Sequence, residues 1–143
     1  MLWTTKSDNF TRSELACKCC GTIRYHEAFI SELERLREVT RPLPVISGCR
    51  CYSHNLKVGG HKNSLHLIDN NKHFCPTIAA DISMAGWDDV EKVDLYEKAK
   101  EAGFSIGVKD NSMHLDLRLL VGLDQRVFKY GYTPEWLGGV ESA

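Results

Sequence analysis

The distribution of apolar residues divides the chain into a few readable stretches. Between His26 and Thr40, Phe29, Leu33 and Leu36 recur at helical spacing, and Glu32, Glu34, Arg35 and Arg37 fill the opposite side. That pattern predicts an amphipathic helix. The run Arg41-Pro42-Leu43-Pro44 ends it, because proline cannot continue a helix and restricts the residue before it. A second helix is expected over Trp87 to Ala102, with Gly103 as its stop. Val45-Ile46 and Phe104 to Val108 read as strands, the first turning at Ser47-Gly48. From Met113 to Leu117 the alternation is clean: Met113, Leu115 and Leu117 face one way, His114 and Asp116 the other. Lys109-Asp110-Asn111-Ser112 supplies the turn before it.

The remaining stretches lack a period. Residues 1–25 look irregular and cysteine-rich, and Cys49 to Ser64 reads as a loop. Residues 67–77, LIDNNKHFCPT, read as an exposed loop, since Asp-Asn-Asn and a proline are turn formers. The tail from Leu119 is expected to add a hairpin arm over VFKYGYTPEWL and then fray. Helices and strands mix without regular βαβ alternation, which predicts an α+β domain with an antiparallel sheet flanked by helices. At 143 residues, one domain spanning 1–143 is expected, with a Cys-rich start (1–25) and a C-terminal arm (119–143).

Composition adds exclusions. A formal net charge of -1 offers no basic field for a polyanion, so nucleic acid is not an expected partner. No apolar run reaches the length of a membrane span. The start, MLWTTKSDNFTRSEL, does not read as a secretory signal, so synthesis and folding in a cytoplasm are expected.

Six cysteines stand as Cys17, Cys19 and Cys20, then Cys49 and Cys51, then Cys75. Three readings compete. Reduced, partly buried thiols suit a reducing compartment. Disulfides between the clusters would form after release. A structural zinc site drawing on both clusters is the third, although C-x-C-C…C-x-C is not a standard zinc-finger spacing.

The chemistry is concentrated in three places. His114, Asp116 and Arg118 share the polar face of an alternating strand. Asp81 sits inside the apolar run Ile78-Ala79-Ala80-Asp81-Ile82, where a carboxylate is costly unless paired or bound to a metal. Ser64-Leu65-His66 follows a stretch containing Gly59-Gly60. Two histidines and a carboxylate make a suitable catalytic zinc set that leaves a fourth position open.

The segments SGCRCYSHNLKVGGHKNSLH, AADI and MHLDLR, in that order, resemble the M15 peptidase family, of the D-alanyl-D-alanine carboxypeptidase type. FTRSELACKCC and the helix ending in RPLP resemble its N-terminal part, so the resemblance covers roughly residues 10–118. It implies the small α+β fold shared with the hedgehog signalling domain, and a Zn²⁺-dependent hydrolase of peptidoglycan stem peptides, as in phage endolysins. Such an enzyme would act at the cell wall after release or as part of a phage particle. His66, Asp81 and His114 match the three zinc ligands. Arg50 matches an arginine that grips the substrate backbone or carboxylate, a task for which a planar guanidinium is suited. Ser64 matches a serine near the bound peptide.

Two departures stand out. The family places six residues between its histidine and aspartate ligands, whereas residues 67–80 intervene here. The added loop carries Asp69, His73 and Cys75; it is expected to be a surface insertion, with replacement of Asp81 by Asp69 or His73 as the rival. The family also places an acid three positions before the last histidine, where this chain has Asn111, which cannot act as a base. Asp110 and Asp116 are the candidates for that role, and Asp116 could instead orient a ligand. These departures motivate the alternative of a catalytically weak or inactive module that binds wall peptide or the structural proteins of a phage particle. Trp87 and Trp136 are assigned to the core by default.

Overall fold

The computed structural model describes residues 2–3 and 7–141, with side chains described from 7 to 138. Its elements are β1 (Leu2–Trp3), α1 (Arg12–Leu15), β2 (Tyr25–His26), α2 (Glu27–Val39), β3 (Val45–Ser47), α3 (Tyr52–Lys57), β4 (Ala79–Ser83), α4 (Asp89–Glu101), β5 (Ser105–Val108), β6 (Ser112–Asp116), β7 (Val127–Lys129) and α5 (Glu135–Glu141). A 3₁₀ turn covers Arg118–Val121.

Helix α2 forms where the periodicity places it. His26 caps it, its Nδ1 accepting the Ala28 N–H, and Phe29, Ile30, Leu33 and Leu36 are buried. Phe29 stacks on Tyr25 with ring centroids 5.5 Å apart and meets Phe104 edge-on at 6.0 Å. Each such side chain contributes about 1.5–3 kcal/mol by leaving water. Helix α4 starts at a reciprocal cap between Asp88 and Glu91 and stops before Gly103, whose φ of +97° suits a residue without a Cβ. The two helices pack on each other, and α4 rests on β5.

The main sheet runs β3-β4-β6-β5-β7. Met113, Leu115, Ile106, Val108, Ile82 and Ala80 from it enter the core. The pairs β3–β4, β4–β6 and β5–β6 are antiparallel, but β5–β7 is parallel. The fold is thus α+β with helices flanking a sheet, and the all-antiparallel expectation fails at one edge. For the same reason the tail is not a hairpin arm. Val127–Lys129 adds to the sheet edge beside β5, and a later segment winds into α5 against α4. Residues 142–143, at the end of the tail expected to fray, lie outside the described residues, as do 1 and 4–6 of the expected irregular start.

Two other stretches hold more order than expected. Thr11 and Glu14 cap each other reciprocally around the short α1, and Cys51 caps α3 within the expected loop. Residues 67–77 are not simply an exposed loop. Asn70 and Cys75 bridge, and Leu67, Asn70, Cys75 and Thr77 are buried. The Asn70 side chain accepts the backbone N–H of Lys72 and His73 and donates to the Asn63 and Ser64 carbonyls, folding the insertion onto its own base. No helix among the described residues is long and apolar enough to cross a membrane.

Candidate metal and substrate site

Strand register assembles the site. Ser47 pairs with Asp81, Asp81 with His114, His114 with Gly107, and Gly107 with Phe128. Directly opposed residues point to the same face of a sheet. One row across five strands therefore presents Asp81, His114 and Phe128 on the face away from Met113 and Leu115. Glycine is required at 107, because a Cβ there would lie 2.6 Å from the Phe128 ring and 2.7 Å from the Tyr130 hydroxyl. Its absence lets Phe128 lean over the row, with its ring 5.5 Å from that of His114.

His66 joins from the loop ahead of β4. Its own N–H donates to the Ser64 hydroxyl at 3.2 Å, and Arg50 and Leu67 form an isolated bridge beside it. Three atoms then converge. His66 Nε2 lies 3.3 Å from Asp81 Oδ1 and 3.3 Å from His114 Nδ1, and His114 Nδ1 lies 3.0 Å from Asp81 Oδ1.

The outer nitrogens fix which way the lone pairs face. His66 Nδ1 is 2.8 Å from the Gly48 carbonyl, which can only accept, so Nδ1 carries the proton and Nε2 faces inward bare. His114 Nε2 is 2.7 Å from Asp116 Oδ2, so it too carries a proton, and in the neutral ring Nδ1 is the bare nitrogen. With Asp81 ionised, the centre is a triangle of acceptors that needs a cation. Ligands about 2.0–2.1 Å from a tetrahedral zinc would stand about 3.3–3.4 Å apart, close to the observed separations. The donor set therefore fits such an ion, and a proton is the other cation able to bridge these atoms.

The electrostatics record the same demand. Burial opposes charge on Asp81, yet its electrostatic interaction with His66 and hydrogen bonds to His114 and His66 hold its carboxyl well below the usual range. Burial also opposes charge on His114, but hydrogen bonds to Asp116 and Asp81 outweigh it and carry the imidazole up to about 9. Burial keeps His66 below its ordinary value.

Asp116 is fully buried and has both oxygens committed. Oδ1 accepts the Arg118 N–H and Nε–H, each at 3.0 Å, while Oδ2 accepts from His114 and from Arg118 Nη2 at 2.8 Å. No lone pair is left to receive a proton from substrate water, so the geometry makes it the residue that orients His114. Asp110, the other candidate base, is exposed at the β5–β6 turn and does not line the cleft. The Asn111 side chain accepts from Lys92 Nζ at 3.2 Å. Asp69 is tied to Arg24 at 2.8 Å, away from the converging atoms, and His73 reaches only the cleft wall.

Around the three atoms lies a cleft of about 680 Å³. Arg50 enters it with Nη2 3.4 Å from Asp81 Oδ2. Its other contacts are the Ser47 hydroxyl at 3.3 Å and Asn55 Oδ1 at 3.3 Å. Asn55 is buried and donates to the His61 carbonyl at 2.9 Å, so it braces both the arginine and the glycine loop. Gly60 presses against that brace: a Cβ there would meet Asn55 Oδ1 at 2.1 Å. Ser64 lines the cleft, as do Arg118, Arg126, Lys109, Lys129 and Lys72, whereas Asp81 and Asp116 are the carboxylates among the lining residues.

Phe128 and Tyr130 were not singled out in the sequence. The only local hint was their alternation with Lys129. Burial and the charges of Asp81 and Asp116 push the Tyr130 hydroxyl up to about 12, so it remains a donor. Trp87 and Trp136 are buried away from the cleft, Trp87 under Arg41 and Trp136 against Tyr96.

Comparison with curated proteins and with solved structures yields no match. The sequence profile of the family described as Peptidase M15 matches residues 8–116, a span that contains the three converging side chains, Arg50 and all six cysteines. With that match over most of its length, the chain belongs to the Peptidase M15 family.

Proposed function

We propose that the protein hydrolyses amide bonds in peptidoglycan stem peptides, using a zinc ion held by His66 Nε2, Asp81 Oδ1 and His114 Nδ1. The observation that carries this reading is the triangle of inward-facing acceptors, spaced as the ligands of one tetrahedral ion would be. When bound, zinc acts as a Lewis acid and brings amide hydrolysis into reach near neutral pH.

The chain's own residues do the rest. The Gly48 carbonyl and Asp116 hold the outer protons of His66 and His114, so both rings keep their orientation. Arg50 offers a planar fork to a peptide carboxylate or backbone carbonyl, and Asn55 keeps it aimed. Tyr130 Oη retains its proton and can donate to negative charge developing on the carbonyl oxygen. The many lysines and arginines of the wall suit a substrate carrying free carboxylates, as stem peptides do.

One observation favours a second reading. The carboxylates lining the cleft are Asp81 and Asp116, and both are already committed. A module that binds wall peptide with little turnover, in a phage particle for instance, has the same geometry. Incubation of the protein with purified cell wall, with and without a chelator, separates the cases. Peptide release that is lost on chelation and restored by zinc supports the hydrolase. Release undiminished by chelation contradicts the metal mechanism, and bound zinc without release on any wall substrate supports the module.

A further inference from the structure

We propose that Cys17, Cys20 and Cys51, with Cys19 as the fourth donor, form a second metal site that holds a structural zinc ion behind the cleft. The proposal stands on cysteine geometry and is independent of the hydrolase reading.

The cysteines come from two segments that the fold brings together. After α1 the chain doubles back: Gly21 N–H donates to the Cys17 carbonyl at 2.8 Å, and Cys17 N–H donates to the Thr22 carbonyl at 2.8 Å. Gly21 sits at φ +74°, a conformation that costs glycine little. This tight turn sets Cys17 and Cys20 toward one side. Cys51 approaches from the segment before α3, its N–H donating to Cys17 Sγ at 3.3 Å. Its own sulfur accepts the His54 N–H at 3.4 Å. The Cys17, Cys20 and Cys51 sulfurs all lie within 4.8 Å of one another. Cys19 is exposed on the same turn and interacts electrostatically with Cys51, Cys17 and Cys20, so a fourth thiol stands beside the three.

The remaining cysteines turn elsewhere. Cys49 Sγ accepts the Arg24 N–H at 3.4 Å, and Cys75 is buried in the insertion. None of the six is in a disulfide. Three sulfurs in mutual reach do not define one pair, whereas a thiolate cluster with a fourth member is the donor set that zinc takes in closed structural sites. Two of the sulfurs, Cys17 Sγ and Cys51 Sγ, each already accept a backbone N–H.

The consequence reaches the cleft. Cys51 follows Arg50 directly, and Gly48, whose carbonyl orients His66, lies two residues before it. An ion clamping Cys51 to the Cys17–Cys20 turn fixes the segment that carries both.

The test uses the full chain purified in reductant and loaded with cobalt(II). Sulfur–cobalt charge-transfer absorption in the near ultraviolet reports thiolate ligation, and a site made of His66, Asp81 and His114 cannot produce it. The expected result is that band in the wild type, with about two equivalents of zinc per chain in the zinc-loaded form. Cys17→Ser and Cys51→Ser lose the band and one equivalent; His114→Ala keeps the band and loses the other; Cys75→Ala keeps both. A wild-type spectrum without the band overturns the proposal, and it requires no variant to fold. Alkylation without reductant that finds these cysteines paired in the isolated protein overturns it equally.

Discussion

Replacing Asp116 by asparagine tests how the structure tunes His114 as the proposed metal ligand. Asn has the same shape but one acceptor oxygen instead of two. If its amide nitrogen takes the place of Oδ1, it faces the Arg118 N–H and Nε–H; if it takes the place of Oδ2, it faces His114 Nε2 and Arg118 Nη2. Either way two of the four hydrogen bonds are lost in a fully buried position. In the second orientation His114 can keep a bond only by moving its proton to Nδ1, the atom that should face the ion. The negative charge that makes His114 a better donor is lost in both. Outer partners of this kind are worth about 10–100-fold in metal affinity, or about 1.4–2.8 kcal/mol. Competition against a chromophoric chelator, in the Cys17→Ser background so that only the histidine site reports, should show zinc affinity weakened by that factor. Asp110→Asn, at an exposed turn, should leave it unchanged. Affinity within about twofold of the parent for Asp116→Asn, or an equal loss for Asp110→Asn, would refute the assignment of Asp116.

Other consequences follow from the same geometry. Arg50→Lys should raise KM for stem peptides by about tenfold with zinc content intact, because an ammonium cannot span two carboxylate oxygens; steady-state kinetics with metal analysis checks this. Phe29→Ala should cost about 3–5 kcal/mol in denaturant unfolding, since the ring is fully buried between Tyr25 and Phe104. In metal-free protein, the raised His114 contributes stability that is complete below its unfolded value of about 6.5 and is lost as pH rises through about 9. The depressed Asp81 and Asp116 contribute stability above about pH 4 that is lost as pH falls below it. Urea midpoints across pH should trace both limbs, and saturating zinc should abolish the alkaline one, since ligation requires a deprotonated ring.

The parts of this fold written locally in the chain were the legible ones. Helices α2 and α4 announce themselves by period and stop signals, and β6 by alternation, because each buries one face against a single partner layer. The ordered motifs also named His66, Asp81, His114, Arg50 and Ser64, which the structure brings to one cleft. Helix α1 was missed although Thr11 and Glu14 carry the capping-box spacing, since four residues are too few to show a period. The parallel edge strand β7 was not legible at all. Its partner is β5, on the far side of which lies β6, and nothing in Val127–Lys129 distinguishes that parallel pairing from a hairpin arm. The role of Asp116 was open for a related reason. Alternation placed it on the His114 face, but only the position of the Arg118 guanidinium shows that its second oxygen is also taken.

The proposed chemistry depends on one ion position. Crystals of the zinc-loaded protein, measured on either side of the zinc absorption edge, locate the metal without assumption about activity. The expected result is an anomalous peak about 2.0–2.2 Å from His66 Nε2, Asp81 Oδ1 and His114 Nδ1, with the fourth direction open to the cleft. Density showing those three atoms hydrogen-bonded to one another with no peak between them would contradict it.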